Sequence, residues 1–135
     1  MSTILIKNAT IINENSRTIS DVLIIDKRIE KIDRNISTDE SHDTIEAEGL
    51  FLIPGLIDDQ VHFREPGLTH KAEIFTESMA AVAGGVTTYM EMPNTIPNAT
   101  TIHELEIKYD IAKRKSFANY SFYLGATNNN MHELN

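Results

Sequence analysis

From about Leu52 onward the sequence alternates strand-like and helix-like runs, and this alternation limits the fold more than any other feature. A strand ends near His62, and a helix is predicted over Ile74–Ala83. Gly84-Gly85 stops it, because glycine tolerates the left-handed exit of a helix. Val86–Met92 reads as a second strand, halted by Pro93. Thr101 and Glu104 have the spacing of a capping box. The helix they open is expected to reach about Ser116, with Ile102, Leu105, Tyr109 and Ala112 on one stripe. Asn119–Leu124 is a third strand, and Gly125 to Asn135 is polar with no clear end signal. Strand, helix, strand, helix, strand means consecutive parallel βαβ units. A (β/α)8 barrel and an open doubly wound sheet both satisfy that pattern, and periodicity does not choose between them.

Residues 2 to about 53 read as short strands instead. Thr3–Ile6 and Thr10–Ile12 are apolar runs parted by Asn8-Ala9, Ser20–Ile25 is rich in β-branched residues, and Arg28–Ile32 alternates polar and apolar. Asp26-Lys27-Arg28 has the look of a hairpin turn without a glycine. Asp33 to Ser41 is polar and expected to loop out, and Asp43–Ala47 and Leu50–Ile53 flank a turn at Glu48-Gly49.

Composition narrows the classes. With 135 residues, 41% of them hydrophobic, the chain is neither disordered nor collagen-like. A net charge of −8 argues against nucleic acid or an anionic membrane as partner. No apolar run approaches the roughly 20 residues of a membrane helix, and Lys7-Asn8 interrupts the apolar start too early for a signal peptide. Without cysteine there is neither disulfide nor thiolate ligation, which suits a cytoplasmic location.

The run Pro54-Gly55-Leu56-Ile57-Asp58-Asp59-Gln60-Val61-His62-Phe63-Arg64-Glu65-Pro66-Gly67 begins apolar and ends in a polar cluster closed by a turn signal. On an ideal strand Asp58, Gln60, His62 and Arg64 share one face. That set makes a poor core and a fitting mouth for a metal and an anion. The plainer reading is a solvated strand end, with Arg64 paired to Glu65 or Glu91, and spacing leaves both open. Asn94 reads on its own as a turn residue after Pro93. His42, His103 and His132 read as surface residues, and His70 lies on the loop after the first strand without metal spacing. Glu91 is on the second strand, where it has the option of facing a barrel interior; no catalytic role is assigned to it.

The run Gly-Leu-Ile-Asp-x-Gln-x-His, followed by Phe-Arg-Glu-Pro-Gly, resembles the Asp-x-His-x-His metal signature of the amidohydrolase superfamily. The Arg-Glu-Pro-Gly continuation is similar to dihydroorotase, a cyclic amidohydrolase. Ala83-Gly84-Gly85-Val86-Thr87-Thr88, leading into Met92-Pro93-Asn94-Thr95, resembles that family's next block, in the right order and at the expected separation. The resemblance chooses the barrel. It implies an α/β fold in which residues 1–53 are part of a small β-sandwich domain, while residues 54–135 begin a metal-dependent hydrolase barrel. Only the first two and a half units of that incomplete (β/α)8 barrel are expected before the chain stops in mid-fold.

The resemblance also implies roles. His62 matches the second histidine of the zinc pair, whereas Gln60 stands where the first belongs, so that one zinc ion or two remains open. Asp58 fits a supporting carboxylate better than a ligand. Arg64 and Asn94 match the contacts to a substrate carboxylate, a guanidinium fork and an amide donor. The remaining metal ligands and the general acid/base are expected beyond residue 135, so no catalytic group lies within this chain and it should be inactive alone. The implied reaction is reversible hydrolysis of dihydroorotate to N-carbamoylaspartate in pyrimidine biosynthesis. Another cyclic amidohydrolase, of hydantoinase or allantoinase type, shares the fold and metal chemistry. A non-catalytic relative that assembles with another pyrimidine-pathway enzyme also stays open, as does a homo-oligomer.

Overall fold

The computed structural model describes residues 2–38 and 42–134. The end of the polar stretch expected to loop out, residues 39–41, lies outside them. The chain divides into two compact units, Met1–Pro54 and Gly55–Asn135.

The first unit is a five-stranded sheet. β1 (Thr3–Asn13), β2 (Ser16–Ile25), β3 (Arg28–Asp33) and β4 (Asp43–Glu46) lie in the order β3-β2-β1-β4, and β5 (Phe51–Leu52) also pairs with β1. The first two apolar runs thus form one strand rather than two. Asn8 is the reason: its φ of 56° puts a bulge into β1, and the register against β2 shifts between Ile6 and Ala9. The freed Asn8 amide donates to Asp21 Oδ1 at 2.9 Å, and the Ile36 amide donates to Asp21 Oδ2 at 3.0 Å. Asp21 is 1% exposed, and these bonds, the one from Ile36 foremost, hold its carboxyl below the usual range. Glu14-Asn15 and Asp26-Lys27 each place two residues at positive φ, the demand of the tight turns that match strand twist. Leu5, Leu23 and Ile36 form the small buried cluster. Ile32, Val22, Ile6 and Ile45 align across the four strands, and the outer two stay exposed.

The second unit is a parallel sheet, β6 (Leu56–Val61), β7 (Val86–Glu91) and β8 (Asn119–Phe122), in sequential order. α1 (Ile74–Ala83) and α2 (Ile102–Lys115) make the crossovers. α2 starts at the predicted capping box: Thr101 Oγ1 accepts from the Glu104 amide at 3.2 Å, and Glu104 Oε2 accepts from the Thr101 amide at 3.1 Å. α1 has no side-chain cap of its own; Glu65 Oε2 accepts from the Ile74 amide at 3.0 Å instead. Phe63, Ile74, Tyr89, Ala112, Ala118 and Phe122 are the core. Phe63 and Tyr89 pack in a tilted pair with ring centroids 4.4 Å apart. Tyr89 donates to Ser116 Oγ at 3.2 Å, and burial pushes its hydroxyl up to about 12.

The stripe expected on α2 is only partly the buried one. Ala112 is buried, but Ile102 and Tyr109 stay more than a third exposed, and Lys108 is buried in their place. Its partner explains this. Lys108 Nζ lies 2.6 Å from Glu91 Oε2, with both side chains 1% exposed. Glu91 therefore faces the helix layer, not the opposite side of the sheet.

Candidate active site at the strand ends

Ligands in parallel α/β architectures bind beyond the carboxyl ends of the strands. Three of the sequence-predicted residues gather there. His62 follows β6 and Asn94 follows β7, and His62 Nδ1 lies 2.9 Å from Asn94 Oδ1. An amide oxygen only accepts, so in this arrangement Nδ1 carries the proton, and in the neutral ring the lone pair is on Nε2. The Asn94 amide nitrogen, with its two N–H groups, is left for another acceptor. Side by side, then, the pair offers a metal-ligating nitrogen and an anion donor.

Arg64 arrives by a different route from the one its spacing suggests. Strand alternation is broken twice: β6 shifts register against β7 between Asp58 and Val61, and Arg64 has a φ of 67°. The guanidinium has no ion pair among the described residues. Glu65 and Glu91, the two carboxylates its sequence offers as partners, are both taken by α2. Glu65 Oε1 pairs with Lys115 Nζ at 2.6 Å, which raises the Lys115 ammonium, and Glu91 pairs with Lys108. The loop carrying Arg64 is pinned further on. Gly67 has a φ of 83°, its position would drive a Cβ into the Ile96 carbonyl, and Ile96 N donates to Pro66 O at 3.1 Å.

Gln60 and Asp58 are exposed, and Asp58 Oδ1 accepts from the Gln60 amide at 3.1 Å. That bond makes Asp58 a local backbone support. No cluster of three or more His, Cys, Asp or Glu side chains suited to a metal occurs among the described residues. His62 fits one coordination position, through its free Nε2, and Gln60 offers at most an amide oxygen beside it. His70 and His103 are exposed, on the loop after β6 and in the first turn of α2, while His132 lies 3.5 Å from Glu133.

Next to Asn94 a shallow cleft of about 210 Å³ is lined by Pro93, Asn98, Thr100, Gly125 and Thr127. Buried Asn130 ties three of these lining residues together: its Nδ2 donates to the Thr100 and Gly125 carbonyls, and its Oδ1 accepts from the Thr127 amide, each at 2.7 Å. Sequence reasoning passed over Asn130, Lys108 and Lys115. The last two carried a usable signal, since Leu105, Lys108, Ala112 and Lys115 recur at helical spacing and so place lysines inside an otherwise apolar face.

Residues 49–131 match the dihydro-orotase-like family. The chain belongs to that family. Within it, the chain is 40% identical over 129 residues to the dihydroorotase of Methanosarcina acetivorans, covering 96% of this chain and 28% of that protein. It is 46% identical over 115 residues to the dihydroorotase of Streptococcus pyogenes serotype M3, covering 83% of this chain and 27% of the other. Among solved structures, the L-hydantoinase (dihydropyrimidinase) of Arthrobacter aurescens superimposes with a TM-score of 0.92 at 30% identity, covering 99% of this chain and 30% of that one. The dihydropyrimidinase of Brevibacillus agri gives 0.83 at 26% identity, covering 98% and 29%. The chain thus spans less than a third of the length of these family relatives and neighbours. No helix among the described residues is long and apolar enough to cross a membrane.

Proposed function

We propose that, in a protein of its relatives' length, this chain forms the substrate-carboxylate side of a dihydroorotase. The reaction is reversible hydrolysis of (S)-dihydroorotate to N-carbamoyl-L-aspartate, a step of pyrimidine biosynthesis. The observation that carries this reading is the arrangement of Arg64: two lysines of α2 occupy the neighbouring carboxylates, which leaves its guanidinium for an outside anion. Asn94, after the next strand, adds an N–H donor, and a guanidinium with an amide donor suits a carboxylate on a small ring. The 40–46% identity to dihydroorotases supports the same substrate.

The second unit is read as the start of a (β/α)8 barrel and the first as part of a β-sandwich domain, with residues 1–53 and 54–135 as their bounds. His62 would hold a metal through Nε2, zinc being the ion its imidazole suits, with the remaining ligands and the general acid/base supplied from beyond residue 135. When bound, such an ion activates water and polarises a carbonyl. Gln60 in place of a second imidazole favours one tightly held ion. The location is read as cytoplasmic and the substrate as a small carboxylate.

A hydantoinase-type activity is the second reading, favoured by the 0.92 superposition on L-hydantoinase. Turnover of dihydroorotate against hydantoin by the full-length protein decides between them. Dihydroorotate is expected to be the better substrate. Hydantoin preferred would establish the second reading, and turnover of neither would leave an assembly role. Elemental analysis is expected to find about one metal per chain, rising when Gln60→His restores an imidazole; two metals held equally tightly by Gln60 protein would overturn the one-ion reading.

A further inference from the structure

We propose that the buried Glu91–Lys108 pair is a positioning device for Arg64, built on the helix side of the sheet and reaching the site through the backbone. The proposal rests on the dihydroorotase reading and extends it to residues that touch no substrate. Glu91 Oε1 accepts from the Arg64 amide at 3.0 Å. A non-glycine residue at φ 67° is disfavoured for an L-residue, so a turn placed there needs something to hold it. The carboxylate supplies it, taking the N–H group of the residue at the turn.

The other oxygen faces Lys108 Nζ at 2.6 Å without the alignment of a good hydrogen bond, and Nζ donates to the Met92 carbonyl at 2.9 Å. One pair thus ties the end of β6, carrying Arg64, to the end of β7, two residues before Asn94. Seven residues along the same helix, Lys115 holds Glu65 at 2.6 Å, on the other side of Arg64. α2 thus holds Glu65 directly and the Arg64 amide by way of Glu91, and leaves the guanidinium alone. A buried ion pair seldom repays its desolvation in stability. Here each charge has a second task, in fixing backbone on two different loops.

The test uses the full-length enzyme. Glu91→Met with Lys108→Met removes the acceptor without stranding a buried charge. Expected is a fall in kcat/KM for dihydroorotate of about 10- to 100-fold, mainly through KM, since small misplacements of a binding group have effects of that order. In an Arg64→Ala background the same pair of changes should add less than about twofold, because nothing is left to position. Backbone hydrogen exchange over residues 62–67 should rise in the methionine variant whether or not metal is present. Should that variant not fold, Glu91→Gln with Lys108→Met, which keeps an acceptor, goes through the same cycle, and any loss must again vanish without Arg64. Losses that multiply with Arg64→Ala, or unchanged exchange over 62–67, would overturn the proposal and leave the functional reading standing. No dihydroorotate turnover by the unmutated enzyme would instead sink both.

Discussion

The two sides of the parallel sheet differ although the same three strands make them. On the helix side Phe63, Tyr89 and Phe122 are buried against Ile74 and Ala112, and the ionisable groups there are paired. The strand ends on the other side carry Gln60, His62 and Asn94, all exposed, with one hydrogen bond between His62 and Asn94. Structure on the helix side comes from neighbours within about 60 residues of sequence, supplied by the crossovers themselves. On the proposed reading, function on the other needs groups that the crossovers do not bring. The contrast separates what this chain folds from what it contributes.

The strongest way to break that contrast is to express residues 1–135 alone. β6 and β8 each have one unpaired edge in the three-stranded sheet, and Ile32 and Ile45 lie exposed in the first unit. The expected result is complete absence of dihydroorotase activity and no sharp monomeric transition. A cooperative melt in a species shown by sedimentation to be monomeric would mean that both faces are already satisfied. Next in size, Tyr89→Ala in the full-length protein should destabilise by about 3–5 kcal/mol, the usual range for deleting a buried aromatic. Gln60→Ala on the exposed side should fall within about 0.5 kcal/mol. Denaturant midpoints measure both, and equal losses would erase the distinction between the faces.

Arg64→Ala should leave stability nearly untouched while lowering kcat/KM for dihydroorotate by about 2–4 kcal/mol, since it removes a charge-assisted contact. Unchanged turnover would show that the carboxylate is bound elsewhere. A smaller effect than that of Arg64 belongs to Asp21. Its carboxyl is lowered in the folded state, so its contribution is fully present above the unfolded value of about 3.9 and disappears as pH falls through the folded value. Asp21→Asn has one acceptor for two amides and should cost about 1–3 kcal/mol near neutral pH. The cost should shrink in acid, and urea titrations at several pH values check it.

Much of the architecture was written in local signals. The Thr101–Glu104 capping box, the Gly84-Gly85 stop and the Pro93 break are short-range chemistry, and they set the ends of α2, α1 and β7. The break expected at Asn8-Ala9 was misplaced because a lone asparagine marks a bulge as readily as a turn; the deciding partner, Asp21, lies across the hairpin. For the site, period-two reasoning picked out His62 and Arg64 but not their geometry, since a register shift and a left-handed residue intervene. That Arg64 escapes Glu65 and Glu91 was illegible, because the lysines that compete for them lie more than 40 residues from Arg64 in sequence. Helical spacing places Lys108 on the apolar face of α2 but does not tell which strand carboxylate it meets.

The 2.9 Å contact between His62 and Asn94 has an evolutionary consequence. On the proposed reading, one side chain selects the ring's substituent and the other grips the ion, yet a single shared proton joins them. A lineage drifting toward a new substrate by changing position 94 would alter the donor strength of the imidazole in the same step. Substrate range and metal retention cannot diverge freely here. Replacements at 94 that keep an acceptor toward position 62 are the ones open to selection.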